Sequence, residues 1–375
     1  MTESKQAYDR IVIKLGTSLL SGTRGSLDTD TMAVLIAQVA ELHHRKKDVV
    51  LVSSGAMAAG RHKLGISRDS RSVPYKQVLC SIGQSRLMNV YEQLFSRHDI
   101  ITAQALLTKA DLSDRAGYLN ARNTLLSLLE LSVLCIVNEN DVVAVDEIEE
   151  AKFGDNDNLS AMVANLVDAD LLLILTDTDG LYTADPQRCN KACLIPEVKK
   201  IDAAIEKLAA GTANRLATGG MVTKIKAAKL ATACGITTVI ASGRQADVIT
   251  RLAAGEAIGT WFLPTSSRRE SRHRWMASGF GTKGILVVDS GAVEALVGQK
   301  RSLLAAGIKD TSGTFKRGEV VAIAGEDGQK LGYGISNYAT VDVRTIKGAH
   351  SKRIMALLGH DYGSEVVHRN NMVVL

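Results

Sequence analysis

The sequence predicts an α/β protein: a three-layer sandwich with a mainly parallel central sheet, followed by a small strand-rich domain. Two observations lead to this prediction. Short, continuous apolar runs alternate with longer amphipathic segments over the first two-thirds of the chain, and the alternation stops near residue 264. Continuous apolar runs are typical of strands that are covered on both faces. Their alternation with helical segments favours a parallel sheet.

Six apolar runs are the predicted strands of the large domain. They are residues 10–15, 48–53, 100–106, 132–138, 170–176 and 236–242. Between the first two runs, Met32, Leu35, Ile36 and Val39 recur at helical spacing, which predicts an amphipathic helix. The helix ends in the cationic stretch HHRKK, which the negative end of a helix dipole favours.

The composition changes along the chain and predicts the domain boundaries. Residues 1–265 form the expected large domain, residues 266–282 an Arg-rich linker, and residues 283–375 the small domain. The small domain contains short predicted strands separated by Gly-containing turns. These strands are residues 283–289, 318–325, 330–336, 339–343 and 365–375.

The overall composition is that of a cytoplasmic globular protein. The chain has 375 residues, of which 46% are hydrophobic and 23% charged. No apolar run approaches the roughly 18–20 residues that a membrane span needs, and the polar N-terminus does not resemble a signal peptide. The five cysteines are odd in number and form no CxxC pair, so we expect neither a disulfide framework nor a zinc site.

Several loops that follow predicted strands have the chemistry of anion binding. Lys14, Gly16 and Thr17 offer a cation, a free backbone amide and a hydroxyl, a set that suits phosphate oxygens. Ser54 and Gly55 precede a helix rich in small residues, which would let a ligand approach the backbone. Each loop alone is equally compatible with an ordinary structural turn.

Further polar sets occur at the ends of later strands. They are Asn138 to Asp141, Thr176 with Asp177, and the Gly219–Gly220 pair followed by Lys224. The sequence contains no P-loop pattern, no GxGxxG fingerprint and no HExxH zinc motif. Lysines and glycines in anion-binding loops, together with aspartates, indicate phosphoryl transfer, in which catalysis is mainly positioning and charge neutralisation.

The stretch FGDNDNLSA, residues 153–161, places two aspartates and two asparagines before a predicted helix. One such residue is enough to cap a helix. Together with five other motifs, this stretch resembles the amino-acid kinase family. The six motifs are KLGTS, SSGAMAAG, NENDVVA, GDNDNLSA, TDTDGLYTADP and TGGMVTK. The small domain resembles a PUA domain, through residues 302–308, 315–321 and 366–372.

The resemblance is closest to the family members that phosphorylate L-glutamate. It implies transfer of the γ-phosphoryl group of ATP to the side-chain carboxylate, giving γ-glutamyl phosphate in the first step of proline biosynthesis. It also implies Mg²⁺ held largely by phosphates and water, without a protein metal ligand that can be named. Proline as a feedback inhibitor and a homo-oligomer, either a dimer or a tetramer, are further expectations from the family.

The resemblance also implies roles for individual residues. Lys14 and Lys224 would be catalytic, with Asp157 orienting both by hydrogen bonding. The expected glutamate-binding residues are Ser54, Asp141 and Asn156. The expected nucleotide-binding residues are Lys14, Gly16, Thr17, Gly55, Thr176, Asp177, Thr218, Gly219, Gly220, Met221 and Lys224.

Two alternative functions are also compatible with the sequence. The acceptor could be aspartate, N-acetylglutamate, carbamate or a nucleoside monophosphate, because kinases that act on these compounds belong to the same family. Alternatively, the protein could be an RNA-binding regulator, given the net charge of +3 in residues 283–375 and the four arginines Arg268, Arg269, Arg272 and Arg274. The small domain has no dense basic stripe or run of stacking aromatics. The acidic residues 142–154 are expected to form a solvent-facing hairpin.

Overall fold

The computed structural model describes residues 8–22, 26–66, 72–144, 156–186, 188–211, 220–265 and 282–375. The chain divides into two compact units. The first comprises Met1–Leu112 and Ala121–Ser267, and the second comprises Ser113–Asn120 and Arg268–Leu375. A segment from the middle of the chain is therefore grouped with its C-terminal part.

An eight-stranded sheet forms the centre of the first unit. Its strands are β1 (Arg10–Leu15), β2 (Asp48–Val52), β3 (Thr102–Leu107), β4 (Leu134–Glu139), β5 (Leu171–Thr176), β6 (Glu197–Val198), β7 (Thr237–Ser242) and β8 (Thr260–Phe262). They lie in the order β3-β4-β2-β1-β5-β7-β8-β6. All neighbours pair in parallel except β7 and β8. All six predicted strands form, with ends within two residues of the prediction.

Helices cover this sheet on both faces. The helices described in the first unit are α1 (Thr17–Leu20), α2 (Thr29–His44), α3 (Ala56–Lys63), α4 (Val73–Ser96), α5 (Lys109–Ser113), α6 (Arg115–Glu130), α7 (Asn156–Leu166), α8 (Ala203–Gly211), α9 (Met221–Ala233) and α10 (Val248–Ala253). Two of them, α5 and α6, contain residues that belong to the second unit.

Strand β1 shows how the two layers of helices are separated. Ile11, Ile13 and Leu15 belong to a core cluster that includes residues of α2 and α4. Val12 and Lys14 point to the opposite face because successive side chains alternate along a strand, and helix α7 packs against β1. The predicted three-layer sandwich is confirmed, and Lys14 is placed under α7 by this alternation.

Two glycines allow helices α3 and α4 to approach closely. A Cβ atom added to Gly60 would lie 1.9 Å from the carbonyl oxygen of Leu79, and one added to Gly83 would lie 1.7 Å from that of Ala56. Any side chain at these positions would therefore overlap backbone atoms. This contact positions the middle of α4 relative to the end of β2, where α3 begins.

The second unit contains a five-stranded sheet and a two-stranded one. The strands are β9 (Gly284–Val288), β10 (Leu303–Leu304), β11 (Ile308–Gly313), β12 (Val320–Gly325), β13 (Lys330–Ile335), β14 (Glu365–Val367) and β15 (Met372–Val374). The larger sheet has the order β11-β9-β12-β13-β15, and β10 pairs with β14. Short helices α11 (Ser290–Val293), α12 (Thr340–Ile346) and α13 (Ile354–Leu358) complete the unit.

Two predicted strands of the second unit differ from the structure. Residues 365–375, predicted as one strand, form β14 and β15 with a 3-10 turn at Arg369–Asn371 between them. Residues 339–343, predicted as a strand, begin helix α12 instead. The backbone amide of Ala339 donates to the carboxylate of Asp342, which caps the helix start. Val343 and Ile346 are both fully buried and are three residues apart, so they pack on one side of a helix. Short apolar runs fit either structure, and here packing decided in favour of the helix.

Candidate active site

Two lysines and one aspartate form a buried charged cluster in the first unit. The ammonium nitrogen of Lys14 lies 2.7 Å from Oδ1 of Asp157, and that of Lys224 lies 3.2 Å from Oδ2 of Asp157. The lysine side chains are each 7% exposed, and the aspartate side chain is 1% exposed. The structure thus brings together all three residues that the family resemblance assigned to catalysis, although their catalytic roles stay a prediction.

The elements of the fold explain why these three side chains meet. Lys14 is the second-last residue of β1, while Asp157 and Lys224 lie in the first turns of helices α7 and α9. Helix N-termini carry a partial positive charge, which favours anions. One strand end and two helix starts therefore converge on a site suited to negatively charged ligands.

Electrostatics holds the aspartate in its ionised form. Burial by itself would raise the pKa of Asp157, but the charges of Lys14 and Lys224 oppose burial and lower this pKa to about 2. Burial lowers the pKa of Lys224, and Asp157 partly offsets that effect. With both lysines protonated, the cluster has two positive charges and one negative charge. A buried net positive charge attracts an anionic ligand.

Thr223 was not among the predicted site residues, yet it belongs to this cluster. Its hydroxyl donates a hydrogen bond of 2.7 Å to Oδ2 of Asp157, the same oxygen that faces Lys224. This bond helps to lower the pKa of the carboxylate. The position of Thr223 just before Lys224 in the first turn of α9 is the only signal that the sequence offered.

A second group of buried polar residues surrounds Asn156. The side-chain Nδ2 of Asn156 lies 2.8 Å from the carbonyl oxygen of Ser53, 3.1 Å from Oγ of Ser54 and 3.1 Å from Oδ1 of Asn138, and its two hydrogens are shared among these three acceptors. Two of the predicted glutamate-binding residues, Ser54 and Asn156, are therefore in direct contact. Asn138, which lies near the end of β4, was recognised in the sequence only as part of a polar loop.

Asp141, the third predicted glutamate-binding residue, lies in the turn that follows β4. Asp141 faces Cys80 of helix α4. Burial raises the pKa of the Cys80 thiol, and the charge of Asp141 and the hydrogen bond between the two side chains raise this pKa further. Val142 and Val143 next to it are exposed. Residues 145–155, which include most of the acidic stretch, lie outside the described residues, so the predicted hairpin stays a prediction.

Two glycine-containing turns border the cluster. The amide of Gly16 donates to the carbonyl oxygen of Leu175 in the neighbouring strand at 3.1 Å, and a Cβ on Gly16 would lie 3.5 Å from the Lys14 ammonium. Gly55 has φ of 95°, a left-handed conformation that glycine adopts without strain. Thr17 is exposed at the start of α1. The amide of Gly16 is thus bonded within the sheet, in contrast to the free amide that the sequence predicted, and Gly16 itself is buried.

Several predicted nucleotide-binding residues lie at the end of strand β5 and at the start of helix α9. Thr176 ends β5, and its hydroxyl donates to the carboxylate of Asp177 at 3.0 Å. Asp177 is close enough to Lys224 to raise the pKa of that lysine. Gly220 is the N-cap of α9 and Met221 its first residue. Thr218 and Gly219 lie outside the described residues.

The described part of the chain contains neither a cluster of metal-binding side chains nor a helix that could span a membrane. No three or more His, Cys, Asp or Glu side chains there come together as a metal-binding group. The one buried carboxylate of the cluster, Asp157, is already paired with two lysines. Among the described helices, none combines the length and the apolar character that crossing a membrane requires.

Comparison with known proteins gives the family. The profile described as the amino acid kinase family matches residues 9–242, which is more than half of the chain. The chain belongs to the amino acid kinase family. The kinase match contains Lys14, Asp157 and Lys224, and a separate PUA-domain profile matches residues 284–358. Membership in the family implies the use of ATP.

The amino acid kinase chain is also similar to curated relatives along almost its whole length. A protein named glutamate 5-kinase from Dehalococcoides mccartyi (strain CBDB1) is 57% identical over 99% of this chain and 100% of its own. A glutamate 5-kinase from Herpetosiphon aurantiacus is 50% identical over 98% of this chain and 99% of its own. The relative from Burkholderia lata, also named glutamate 5-kinase, is 47% identical over 98% of each chain.

Proposed function

We propose that the protein transfers the γ-phosphoryl group of ATP to the side-chain carboxylate of L-glutamate, giving γ-glutamyl phosphate and ADP in the first step of proline biosynthesis. The observation that supports this most strongly is the buried Lys14–Asp157–Lys224 cluster directly beside Asn156. The name shared by relatives that are 47–57% identical supports glutamate as the acceptor.

The reaction needs no general base. The γ-carboxylate of glutamate is ionised at neutral pH, because the pKa of such a group is about 4.3. The obstacle is the repulsion between this anion and the phosphates of ATP. Lys14 and Lys224 relieve it, because they present fixed positive charge where negative charge accumulates in the transition state.

Asp157 has a positioning role in this proposal. Its pKa of about 2 keeps it ionised at any pH at which the enzyme works, so it does not exchange protons with the substrate. Each of its two oxygens faces one lysine. The carboxylate therefore holds the two ammonium groups apart, in fixed directions, before the ligands bind.

The two substrates would enter from different sides of the lysine pair. Ser54, Asn156 and Asp141 would bind glutamate, with the carboxylate of Asp141 suited to its α-ammonium group. Gly16, Thr17, Gly55, Thr176, Asp177 and the segment 218–224 would bind ATP. Mg²⁺ would neutralise phosphate charge and be held mainly by phosphate oxygens and water. That arrangement fits a buried carboxylate already committed to two lysines.

Several broader assignments follow from the same family relationship. We propose that the protein is cytoplasmic, forms a homodimer or homotetramer, and is inhibited by proline at the glutamate pocket. We also propose residues 1–265 as the catalytic domain, 266–282 as a linker and 283–375 as a PUA domain. RNA binding by that domain is tested by measuring whether structured RNA binds tightly and in a salt-dependent way at physiological ionic strength.

An acceptor screen tests the proposed reaction. Release of ADP would be measured with L-glutamate, L-aspartate, N-acetyl-L-glutamate, carbamate and UMP, and hydroxylamine would trap any acyl phosphate as its hydroxamate. We expect L-glutamate to give the highest kcat/KM and a γ-glutamyl hydroxamate in proportion to ADP. ADP release without hydroxamate, or equal turnover with another acceptor, would show that the proposal is wrong.

A further inference from the structure

We infer that Gln84 of helix α4 binds the α-carboxylate of the acceptor amino acid through its side-chain Nε2. This inference rests on the proposed function and adds a residue that determines acceptor specificity. Its basis is a chain of side-chain amides that runs from half-buried Gln84 through buried Asn138 to buried Asn156, and the buried polar atom without a hydrogen-bond partner at each end of this chain.

The amide chain consists of short hydrogen bonds. Nδ2 of Asn138 donates to Oε1 of Gln84 at 2.7 Å. Oδ1 of Asn138 in turn accepts from Nδ2 of Asn156 at 3.1 Å. Asn138 is 2% exposed and Asn156 is 5% exposed, so water does not compete freely for these groups.

Backbone groups fix the direction of the chain. Oδ1 of Asn138 also accepts from the backbone amide of Glu139 at 3.0 Å, and Nδ2 of Asn156 also donates to the carbonyl oxygen of Ser53 at 2.8 Å. A backbone amide can only donate and a carbonyl can only accept. Neither asparagine amide can be flipped without losing such a bond. Gln84 must therefore turn Oε1 toward Asn138.

This fixed direction leaves one buried donor and one buried acceptor. Nε2 of Gln84 and Oδ1 of Asn156 are both buried, and neither has a hydrogen-bond partner among the described residues. Buried polar atoms without a partner are unfavourable and uncommon in folded proteins. The two atoms occur at opposite ends of one network beside the lysine cluster, which indicates that a ligand satisfies them.

An α-amino acid supplies the complementary pair of groups. Its α-ammonium donates hydrogen bonds and suits Oδ1 of Asn156, and its α-carboxylate accepts them and suits Nε2 of Gln84. The γ-carboxylate is the nucleophile and has to lie near Lys14 and Lys224, where the phosphoryl group is transferred. Gln84 therefore binds the α-carboxylate, which does not react.

The fold holds Gln84 rigidly in place. The preceding residue, Gly83, lies against the backbone of Ala56 so closely that a Cβ there would be 1.7 Å from the Ala56 carbonyl oxygen. On the next turn of α4 toward its N-terminus, Cys80 interacts with Asp141. Two successive turns of α4 therefore contact the end of β4 at Asn138 and the following turn at Asp141, which is a predicted acceptor-binding residue. A site carried by a helix is well ordered for recognition.

The substitution Gln84→Glu tests whether Gln84 binds the acceptor or only supports Asn138. The new side chain keeps an oxygen that accepts from Asn138 but replaces the donor Nε2 with a negatively charged oxygen. We expect KM for L-glutamate to rise by about 10- to 100-fold, the effect of losing a hydrogen bond to a charged group. We expect KM for ATP to change by less than about threefold, because Gln84 is assigned to the acceptor alone.

An amide analogue of the acceptor gives a more specific test. L-Isoglutamine has an amide in place of the α-carboxylate, and its NH₂ group can donate to a glutamate at position 84. The ratio of kcat/KM for L-glutamate to that for L-isoglutamine should fall by at least about tenfold in Gln84→Glu. Gln93→Glu, an exposed glutamine on the same helix, is the matched control and should leave this ratio unchanged.

The outcomes distinguish this inference from the proposed function. A wild-type enzyme that does not phosphorylate L-glutamate refutes both. An active wild type with an unchanged acceptor ratio in Gln84→Glu refutes the inference alone and leaves Gln84 as a support for Asn138. Should Gln84→Glu fail to fold, Gln84→Met removes the donor without adding charge. The ratio of kcat/KM for L-glutamate to that for L-isoglutamine should then also fall, because this variant no longer distinguishes the α-carboxylate from an amide.

Discussion

At the scale of single residues, the main feature is an unequal balance of buried charge. Lys14, Lys224 and Asp157 are all nearly inaccessible to solvent, and the two cations exceed the single anion. Burying charge is costly unless it is paired. Asp157 pairs with both lysines, and Asp177 lies close enough to Lys224 to raise the pKa of that lysine. A phosphate anion at this site would balance the remaining positive charge, and phosphoryl transfer requires such an anion.

The first prediction concerns the contribution of Lys224 to catalysis. Lys224→Ala should lower kcat by about 10²-fold or more, because it removes a charge that stabilises the transferring phosphoryl group. Steady-state kinetics with L-glutamate and ATP would measure this. Lys226→Ala is the matched control, because Lys226 is exposed on the same helix and should retain normal turnover. Near-normal kcat in Lys224→Ala would remove this lysine from the mechanism.

The second prediction concerns the pH dependence of kcat/KM. Burial, together with the charge of Lys14, lowers the pKa of Lys224 below its ordinary value of 10.5. A lysine with a lowered pKa loses its positive charge earlier as the pH rises, so kcat/KM, which reports groups of the free enzyme, should fall on the alkaline side before pH 10.5. Arginine does not deprotonate in this range. Lys224→Arg should therefore shift that fall upward, even if its kcat is lower at neutral pH.

A pH–rate profile of both proteins between pH 7 and pH 10.5 is the measurement. Circular dichroism at each pH would show that the fold persists. An alkaline fall that is identical in wild type and Lys224→Arg would mean that another group titrates. Protonation of Asp157 should not appear on the acid side of the pH–rate profile, because its pKa of about 2 lies below the pH range of the assay.

At the scale of elements, the alternation along β1 explains much of the site. Residues of β1 that face one side join the core with α2 and α4, and those that face the other side lie under α7. The sequence predicted this strand and the helix that carries Asp157. That Lys14 points toward the helix start follows from the two-residue period of a strand. The incorrect strand at 339–343 shows the limit of such patterns, because a short β-branched run can pack equally well in a helix.

The third prediction tests the close contact between helices α3 and α4. Gly83→Ala should lower the free energy of unfolding by about 3 kcal/mol, because the new methyl group would overlap the carbonyl oxygen of Ala56. Urea denaturation would measure the loss. Gly298→Ala is the control, since the nearest atom to a Cβ there is 4.0 Å away. Wild-type stability in Gly83→Ala would mean that the helices separate at little cost.

At the scale of the whole molecule, a short segment from the middle of the chain is part of the second unit. Leu119 is fully buried and packs with Val320, Ile335 and Val373. Arg115 forms an ion pair of 3.1 Å with Glu319. Residues separated by about two hundred positions therefore share one core, which no local pattern in the sequence indicated.

The fourth prediction follows from this packing. Leu119→Ala should destabilise the second unit by about 2–5 kcal/mol, as is usual when a buried leucine is truncated. Hydrogen exchange should increase in β12 and β15, with little change in β1 of the first unit. Leu131→Ala is the control, because Leu131 is 73% exposed and its loss should be nearly neutral. Equal protection of β12 in both variants would contradict the assigned core.

The sequence by itself determined the class of the fold, the six main strands of the first unit and the loops that follow them. It did so because strands covered on both faces need continuous apolar runs, and because several loops with lysine, glycine and aspartate follow such strands, although each loop alone also fits an ordinary turn. Resemblance to the family then assigned roles to Lys14, Asp157 and Lys224. Their mutual contact is a property of the folded chain.

Only the tertiary structure decided which polar residues meet across elements. Thr223, Asn138 and Gln84 each look ordinary in the sequence, since a single polar residue in a helix or strand is compatible with many surroundings. Their importance comes from hydrogen bonds to residues far along the chain, such as that from Thr223 to Asp157 and that from Asn138 to Gln84. Hydrogen bonds are directional and short-ranged, so they depend on a precise approach of elements that periodicity alone does not encode.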